Sequence, residues 1–202
     1  MSLESLDRRT LLKGAAATAG VAALGGTLAP QARADNWKIL PHEHQWQDYD
    51  YNCGPCAARV VLTCRNIFLS QDQLIAEIGT TTNGTDDISQ VTTALNNHVG
   101  GWYENKYMPN DPPTQGQKDL LWNDIVFDID RGYGLVLNIW APANNHPPGY
   151  PNYLIMHYVA AVGYNPDNRQ VYIVDSAGFS QGQYWLDFEQ VASLVPPKGY
   201  SA

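Results

Sequence analysis

Cys53 is the side chain whose surroundings in the sequence best suit a nucleophile. It precedes Gly54 and Pro55 at the predicted start of a helix, where free backbone N–H groups and the helix dipole favour a thiolate. A helix terminus contributes about 0.3–2 kcal/mol, whereas lowering a thiol pKa from about 8.5 to roughly 4 takes about 6 kcal/mol. The thiol therefore needs a second partner, and an imidazolium would supply the missing charge.

His157 is the partner that we predict, with Asp175 to orient its ring. His157 lies in the apolar run 156–162, and Asp175 ends the apolar run 171–175, where an unpaired aspartate is rarely buried. A hairpin centred near Asp167 pairs residues whose numbers sum to about 334 and sets the two side chains diagonally on one face. Asp175 would then fix the tautomer of His157 and stabilise its cation. A change of register by one residue would place them on opposite faces.

Gln47 is a candidate for stabilising the negative charge that develops during acyl transfer. It lies six residues before Cys53, and a side-chain amide there could donate to an oxyanion together with the Cys53 N–H. Gln45 is the weaker alternative. We predict no cofactor and no metal, because His42 and His44 have metal-like spacing but no evident third ligand.

The elements that must position these residues are predicted as helices followed by strands. Apolar residues at helical spacing predict a helix over 53–68, with Asn52 as a possible cap and Phe68 on the inner stripe. Further helices are predicted at 71–78, 87–98, 117–131 and after Asp187. Strands are predicted at 135–140, 156–164, 170–176 and 184–186. This order predicts an α+β domain.

The first 34 residues are predicted to be an export signal rather than part of the fold. Arg8 and Arg9 precede a small, apolar run over 14–28, and Ala32-Arg33-Ala34 has the pattern of a cleavage site. The adjacent arginines, followed by Leu-Leu-Lys, resemble a twin-arginine signal. We therefore expect one domain over residues 35–202, located outside the cytoplasm.

The charge of the remaining chain excludes some classes of partner. The whole sequence carries a net charge of −8, and residues 1–34 hold four basic and two acidic side chains, so residues 35–202 carry −10. An acidic domain repels phosphate backbones, so nucleic acid is not an expected partner. The same charge argues against binding to anionic lipid, and we expect no stable membrane insertion after the signal.

The cysteines leave a rival interpretation open. Cys53-Gly54-Pro55-Cys56 is also the dithiol motif of thioredoxin-like redox proteins. That fold needs an apolar strand directly before the motif, whereas residues 45–52 are mostly polar. A further hypothesis is that Cys56 forms a reversible disulfide with Cys53 and silences it, and Cys64 is predicted to be a core residue. A third alternative is a catalytically silent domain that binds peptides.

Four short motifs together resemble the C39-like peptidases of the papain-like superfamily. They are Gln47, Cys53-Gly54-Pro55 at a helix start, His157-Tyr158-Val159 on a strand, and Val174-Asp175 on the next strand. The resemblance implies a papain-like α+β fold. Its N-terminal helical part would begin with the Cys53 helix, and an antiparallel sheet would carry His157 and Asp175.

The resemblance also implies a role for each residue and a class of substrate. Gln47 would build the oxyanion hole, Cys53 would attack, His157 would shuttle the proton and Asp175 would orient His157. The substrate would be a peptide or protein, cleaved through a thioester acyl-enzyme. The best-known relatives cut double-glycine leader peptides inside export transporters, but an export signal on this chain makes that use unexpected. The natural substrate, and whether water or another acceptor takes the acyl group, stay open.

Overall fold

An antiparallel sheet with helices packed around it forms the part of the chain that the computed structural model describes, residues 36–179 and 181–202. The export signal predicted for residues 1–34 lies outside the described residues. The helices are α1 (Cys53–Thr63), α2 (Gln71–Ile78), α3 (Ile88–Val99), α4 (Gln115–Asp130) and α5 (Phe188–Leu194). The strands are β1 (Lys38–Ile39), β2 (Asn105–Tyr107), β3 (Leu135–Ala141), β4 (Ile155–Asn165), β5 (Gln170–Val174), β6 (Gln183–Asp187) and β7 (Gly199–Ser201). The predicted α+β class is confirmed.

β4 is the longest strand and the centre of the sheet. The strand order is β2-β7-β3-β4-β5-β6, and β1 pairs with β4 beyond the end of β3. Six of the seven residues of β3 and seven of the eleven residues of β4 are buried, because α1 packs on both strands while α4 and α5 cover other parts of the sheet. A strand enclosed in this way reads as a continuous apolar run, which explains the sequence around His157.

The register of the β4–β5 hairpin is the one predicted from its turn. Ala160 pairs with Val174 and Ala161 pairs with Ile173, so the paired numbers sum to 334 at the end nearer His157. A bulge lies between Ala161 and Gly163, and on the side of it that is nearer the turn the pairing is shifted by one residue. The irregularity therefore lies away from the site and leaves the predicted face of the hairpin unchanged.

α1 occupies the middle of the molecule, between the sheet and the helices α2 and α3. Ten of its eleven residues are buried, and only Cys53 at its first position is partly exposed. A Cβ at position 54 would lie only 2.6 Å from the Thr85 Oγ1, so glycine is the residue that fits there. The helix can therefore approach the neighbouring segment closely and present Cys53 at the surface of the core.

Two details of the predicted α1 are wrong. The helix ends at Thr63 rather than Phe68, since Asn66 adopts a left-handed conformation at φ 59°. Phe68 then lies in the connection to α2 and is 58% exposed, instead of on the inner stripe. Asn52 precedes the helix but makes no side-chain capping bond, because its side-chain oxygen accepts from the Tyr49 N–H at 3.2 Å instead.

The other helices lie within about two residues of their predicted bounds, and the start of α4 at Gln115 rather than Gln117 is the largest difference. Ser70, Asp87 and Thr114 each cap a helix, reciprocated by a glutamine three residues later. Gly79 ends α2 in the left-handed conformation, as expected of a glycine after a helix. The strands β1, β2 and β7 were not predicted, because two or three residues are too few to show a period. Among the described residues, no helix has the length and apolarity needed to span a membrane.

Gly163 is the position where we expect a single methyl group to damage the sheet. A Cβ there would lie 2.6 Å from the Lys38 carbonyl oxygen and 2.9 Å from the Tyr172 Cβ, so Gly163→Ala must push β1 or β5 away from β4. We expect a loss of about 1–3 kcal/mol in the free energy of unfolding, measured by urea denaturation. Gly116→Ala is the control, since no atom lies within 4 Å of its Cβ and a helical alanine gains about 0.5–1 kcal/mol. Equal stability of Gly163→Ala and the unaltered protein would contradict this packing.

Candidate active site

Cys53 and His157 meet at the point where α1 begins beside the start of β4. Cys53 and His157 line the same cleft, and the charge of His157, together with smaller contributions from the backbone at Tyr158 and Gly54, acts to lower the pKa of the Cys53 thiol. The two residues are separated by more than a hundred positions in the sequence, and the packing of α1 on β4 brings them together. The predicted pairing of thiol and imidazole is therefore present in the structure.

Asp175 contacts the far side of the His157 ring. His157 Nε2 donates to Asp175 Oδ1 at 2.9 Å, and both side chains are almost completely buried. The nitrogen left for Cys53 is therefore Nδ1. Asp175 directly follows β5 and its N–H donates to Gly182 at 2.7 Å, so the backbone as well as the side chain of the carboxylate is fixed. Cys53, His157 and Asp175 therefore stand in series, with the His157 ring between the thiol and the carboxylate.

Three further donors saturate the Asp175 carboxylate. The hydroxyls of Tyr150 and Tyr184 donate to Oδ2 at 2.6 Å and 2.9 Å. The Ala177 N–H donates to Oδ1 at 2.9 Å. A buried charge is costly unless its oxygens are hydrogen-bonded, and these donors meet that requirement. Asp175 can therefore stay ionised inside the protein and keep a fixed orientation.

The pKa values of the three groups move so that each favours the charged form. Burial raises the pKa of Cys53, but the charge and hydrogen bond of His157 outweigh it, and the net pKa is lowered. Burial lowers the pKa of His157, but the charge of Cys53 and the hydrogen bond that His157 donates to Asp175 raise it to about 10. Burial opposes ionisation of Asp175, yet its bond to His157 dominates and lowers its pKa to about 2. These shifts favour a thiolate beside an imidazolium.

Gln47 lines the same cleft as Cys53 and His157, as predicted. Its side-chain oxygen accepts from the Ser176 hydroxyl at 3.2 Å, while its amide nitrogen donates to the Tyr49 carbonyl at 2.8 Å. The donor is therefore turned to the protein in this structure. It would need to exchange the Tyr49 carbonyl for a substrate oxygen in order to stabilise an oxyanion.

Gln71, the first residue of α2, is buried and holds the segment that leads into α1. Its side-chain oxygen accepts from the Asp48 N–H at 2.9 Å and from the Asn52 amide at 2.7 Å. The same oxygen accepts the Cys56 thiol at 2.9 Å, and the Gln71 amide donates to the Trp46 carbonyl at 2.8 Å. These bonds fix the segment that carries Gln47 against the helix that carries the thiol.

The structure gives Cys56 a place unlike that of Cys53. Burial and the nearby charge of Cys53 raise the Cys56 pKa to about 12, so the thiol stays protonated and donates to Gln71. Residues 40–52, before the motif, contain no strand, and the thioredoxin-like interpretation therefore lacks the element that it requires. Cys64 is partly buried against the core, as predicted, and burial raises its pKa to about 12.

The rings of His42 and His44 are hydrogen-bonded to different parts of the protein and do not share a partner. His42 Nε2 contacts Gln183 Oε1 at 2.9 Å, and His44 Nε2 donates to the Asp175 carbonyl at 2.9 Å. Within residues 36–179 and 181–202, no group of three or more potential ligands could hold a metal ion. His44 instead helps to fix the backbone of the residue that orients His157.

Tyr150, Tyr184 and Gln71 are the residues that sequence reasoning missed. Tyr150 lies in a Pro/Asn-rich loop with no period, so nothing local indicated the partner of its hydroxyl. Tyr184 offered a weak signal, because it faces Ile173 across β5 and β6 and shares that side of the sheet with Asp175. Gln71 looked like an ordinary polar residue in the first turn of a helix.

Comparisons with known proteins identify the family and the fold of this chain. A family model described as the Peptidase_C39 like family matches residues 38–195. The crystal structure of a C39-like peptidase from Bacillus anthracis superposes with a TM-score of 0.56 at 13% identity, covering 83% of this chain and 96% of that one. A search of curated protein sequences finds no match.

Two further crystal structures are similar at a TM-score of 0.49 and 16% identity. One is a double glycine motif protease from an AMS/PCAT transporter in complex with the leader peptide, covering 80% of this chain and 91% of that one. The other is the peptidase domain of Streptococcus ComA, a bifunctional ABC transporter involved in a quorum sensing pathway, covering 81% and 95%. The family match includes Cys53, His157 and Asp175 and most of the described residues, so this chain belongs to the Peptidase_C39 like family.

Proposed function

We propose that this protein is an exported cysteine peptidase that hydrolyses peptide or related amide bonds through a thioester. The observation that carries the proposal is the position of His157, whose ring lies beside Cys53 in the cleft and is hydrogen-bonded to Asp175. A thiol with an adjacent base, and a base oriented by a third group, is the arrangement that nucleophilic catalysis needs. Membership of a peptidase family supports the same assignment.

In the proposed reaction, the Cys53 thiolate attacks the carbonyl carbon of the scissile bond. The Cys53 N–H and the Gln47 amide stabilise the oxyanion of the tetrahedral intermediate. The His157 imidazolium then donates its proton to the leaving nitrogen, the amine departs and a thioester to Cys53 remains. Neutral His157 next takes a proton from water, which attacks the thioester, and the carboxylic acid leaves as the thiolate is restored. Asp175 holds the ring in the same orientation throughout.

The alternative of a silent peptide-binding domain accounts for less of the structure. A binding role would need the cleft but not a thiol in series with a buried imidazole and a buried carboxylate. Burying ionised groups costs free energy, and the hydroxyls of Tyr150 and Tyr184 both donate to Asp175 and stabilise its charged form. This arrangement favours catalysis over binding alone.

Digestion of a peptide library tests the proposal, with products identified by mass spectrometry. We expect cleavage by the protein and a loss of roughly 10³–10⁶-fold in rate for Cys53→Ala, because the nucleophile is removed. Cys64→Ala is the matched control and should retain the rate, since Cys64 does not line the cleft. Binding of peptides without Cys53-dependent cleavage would support the silent domain and contradict the peptidase.

The rate of the same digestion should depend on pH in a defined way. It should fall on the acid side as the thiolate is protonated, below the lowered pKa of Cys53. It should fall on the alkaline side as His157 loses the proton for the leaving amine, near its raised pKa of about 10.

Export by a twin-arginine signal is a second part of the proposal. Its support is the sequence of residues 1–34, with Arg8-Arg9 before an apolar run and an Ala-Arg-Ala site. We expect replacement of both arginines by lysine to keep the full-length protein in the cytoplasm, whereas the unaltered chain appears outside it without residues 1–34. Cell fractionation with mass spectrometry of the N-terminus measures both. Normal export of the lysine variant would contradict the twin-arginine route.

A further inference from the structure

The cleft beside Cys53 is lined by three segments of different character. They are residues 47–50 ahead of α1, residues 154–157 at the start of β4, and residues 177–179 after β5. The cleft has a volume of about 460 Å³, within the range of about 300–1,000 Å³ that is typical of ligand sites. It therefore has room for substrate side chains on either side of the bond that reacts.

Two of these segments place large apolar side chains in the cleft. Leu154 is 42% exposed, Met156 is 61% exposed and Phe179 is 38% exposed. Single exposed apolar residues are common on protein surfaces, but these three line one cleft next to a nucleophile. Contact with water is unfavourable for all of them, and an apolar substrate side chain would relieve it.

The remaining segment contributes negative charge. Asp48 and Asp50 are exposed and line the cleft, and neither forms an ion pair within the described part of the chain. None of the described lining residues is lysine or arginine. The field of Asp48 extends to α1, where it adds to the effect of burial in raising the Cys56 pKa. The cleft thus combines an uncompensated acidic segment with an apolar one.

We propose that the preferred substrate carries lysine or arginine next to a large apolar residue close to the scissile bond. Asp48 and Asp50 would contact the cation, and Leu154, Met156 and Phe179 would contact the apolar side chain. This inference rests on the proposed peptidase function and names its substrate class. Acidic peptides would be disfavoured twice, by these carboxylates and by the thiolate itself.

Matched peptides test this specificity. The substrates are internally quenched octapeptides that differ only at two adjacent central positions, Leu-Lys, Leu-Glu, Ser-Lys or Ser-Glu, each in both orders. We expect Leu-Lys peptides to give the highest kcat/KM. Exposed carboxylate–ammonium contacts contribute modestly, so the advantage of Lys over Glu should be about 2- to 30-fold at low ionic strength.

Variants assign the preference to the cleft. Combined Asp48→Asn and Asp50→Asn should reduce the Lys-over-Glu ratio towards one and leave the Leu-over-Ser ratio unchanged. The control is the pair Asp119→Asn and Asp167→Asn, two exposed aspartates outside the cleft that remove the same charge. Met156→Ser should lower the Leu-over-Ser ratio instead. Raising the salt concentration should weaken only the charge preference, since screening acts on exposed ions.

The outcomes separate this inference from the function on which it rests. Cys53-dependent cleavage of all the peptides at equal rates would overturn the specificity and leave the peptidase standing. Binding of the same peptides to Cys53→Ala gives a second measurement that needs no turnover, and equal affinity for Leu-Lys and Leu-Glu peptides would also overturn it. Selective binding to Cys53→Ala without cleavage by the unaltered protein would support the specificity and contradict the peptidase.

Discussion

The buried ring of His157 joins two negative groups, and the surrounding structure is arranged to keep all three charged. A buried imidazolium and a buried carboxylate beside a partly exposed thiolate would be unfavourable without compensation. The compensation comes from Tyr150 and Tyr184 on the carboxylate and from backbone N–H groups on the thiolate. Helix α1 supplies one of those N–H groups because its first turn carries no side-chain cap. The uncapped end of α1 is therefore part of the site.

The position of α1 sets the distance between thiol and imidazole, and two contacts control that position. Gly54 lets the helix approach Thr85 where any side chain would collide with it. The side-chain oxygen of Gln71 accepts hydrogen bonds both from the segment before α1 and from the thiol of Cys56. The Cys-Gly-Pro-Cys motif thus has a structural explanation within a hydrolase fold, in which only the first cysteine faces the cleft.

The main parts of the site could be predicted from sequence because they depend on local patterns. A short turn sets the register of β4 and β5, and that register places His157 beside Asp175. Tyr150 and Gln71 could not be predicted, since their contacts depend on how a loop and a helix pack in three dimensions. The end of α1 was misplaced because the left-handed conformation of Asn66 interrupts a continuing apolar pattern.

The pKa of Cys53 is the most direct test of the account, measured by thiolate absorbance or by the pH dependence of alkylation. In the unaltered protein it should lie below the ordinary value for a free thiol of about 8.5. In His157→Ala it should rise by several units, because burial would remain while the imidazolium that opposes it would be gone. The same pKa in both proteins would show that the thiol and imidazole do not form a pair and would contradict the account.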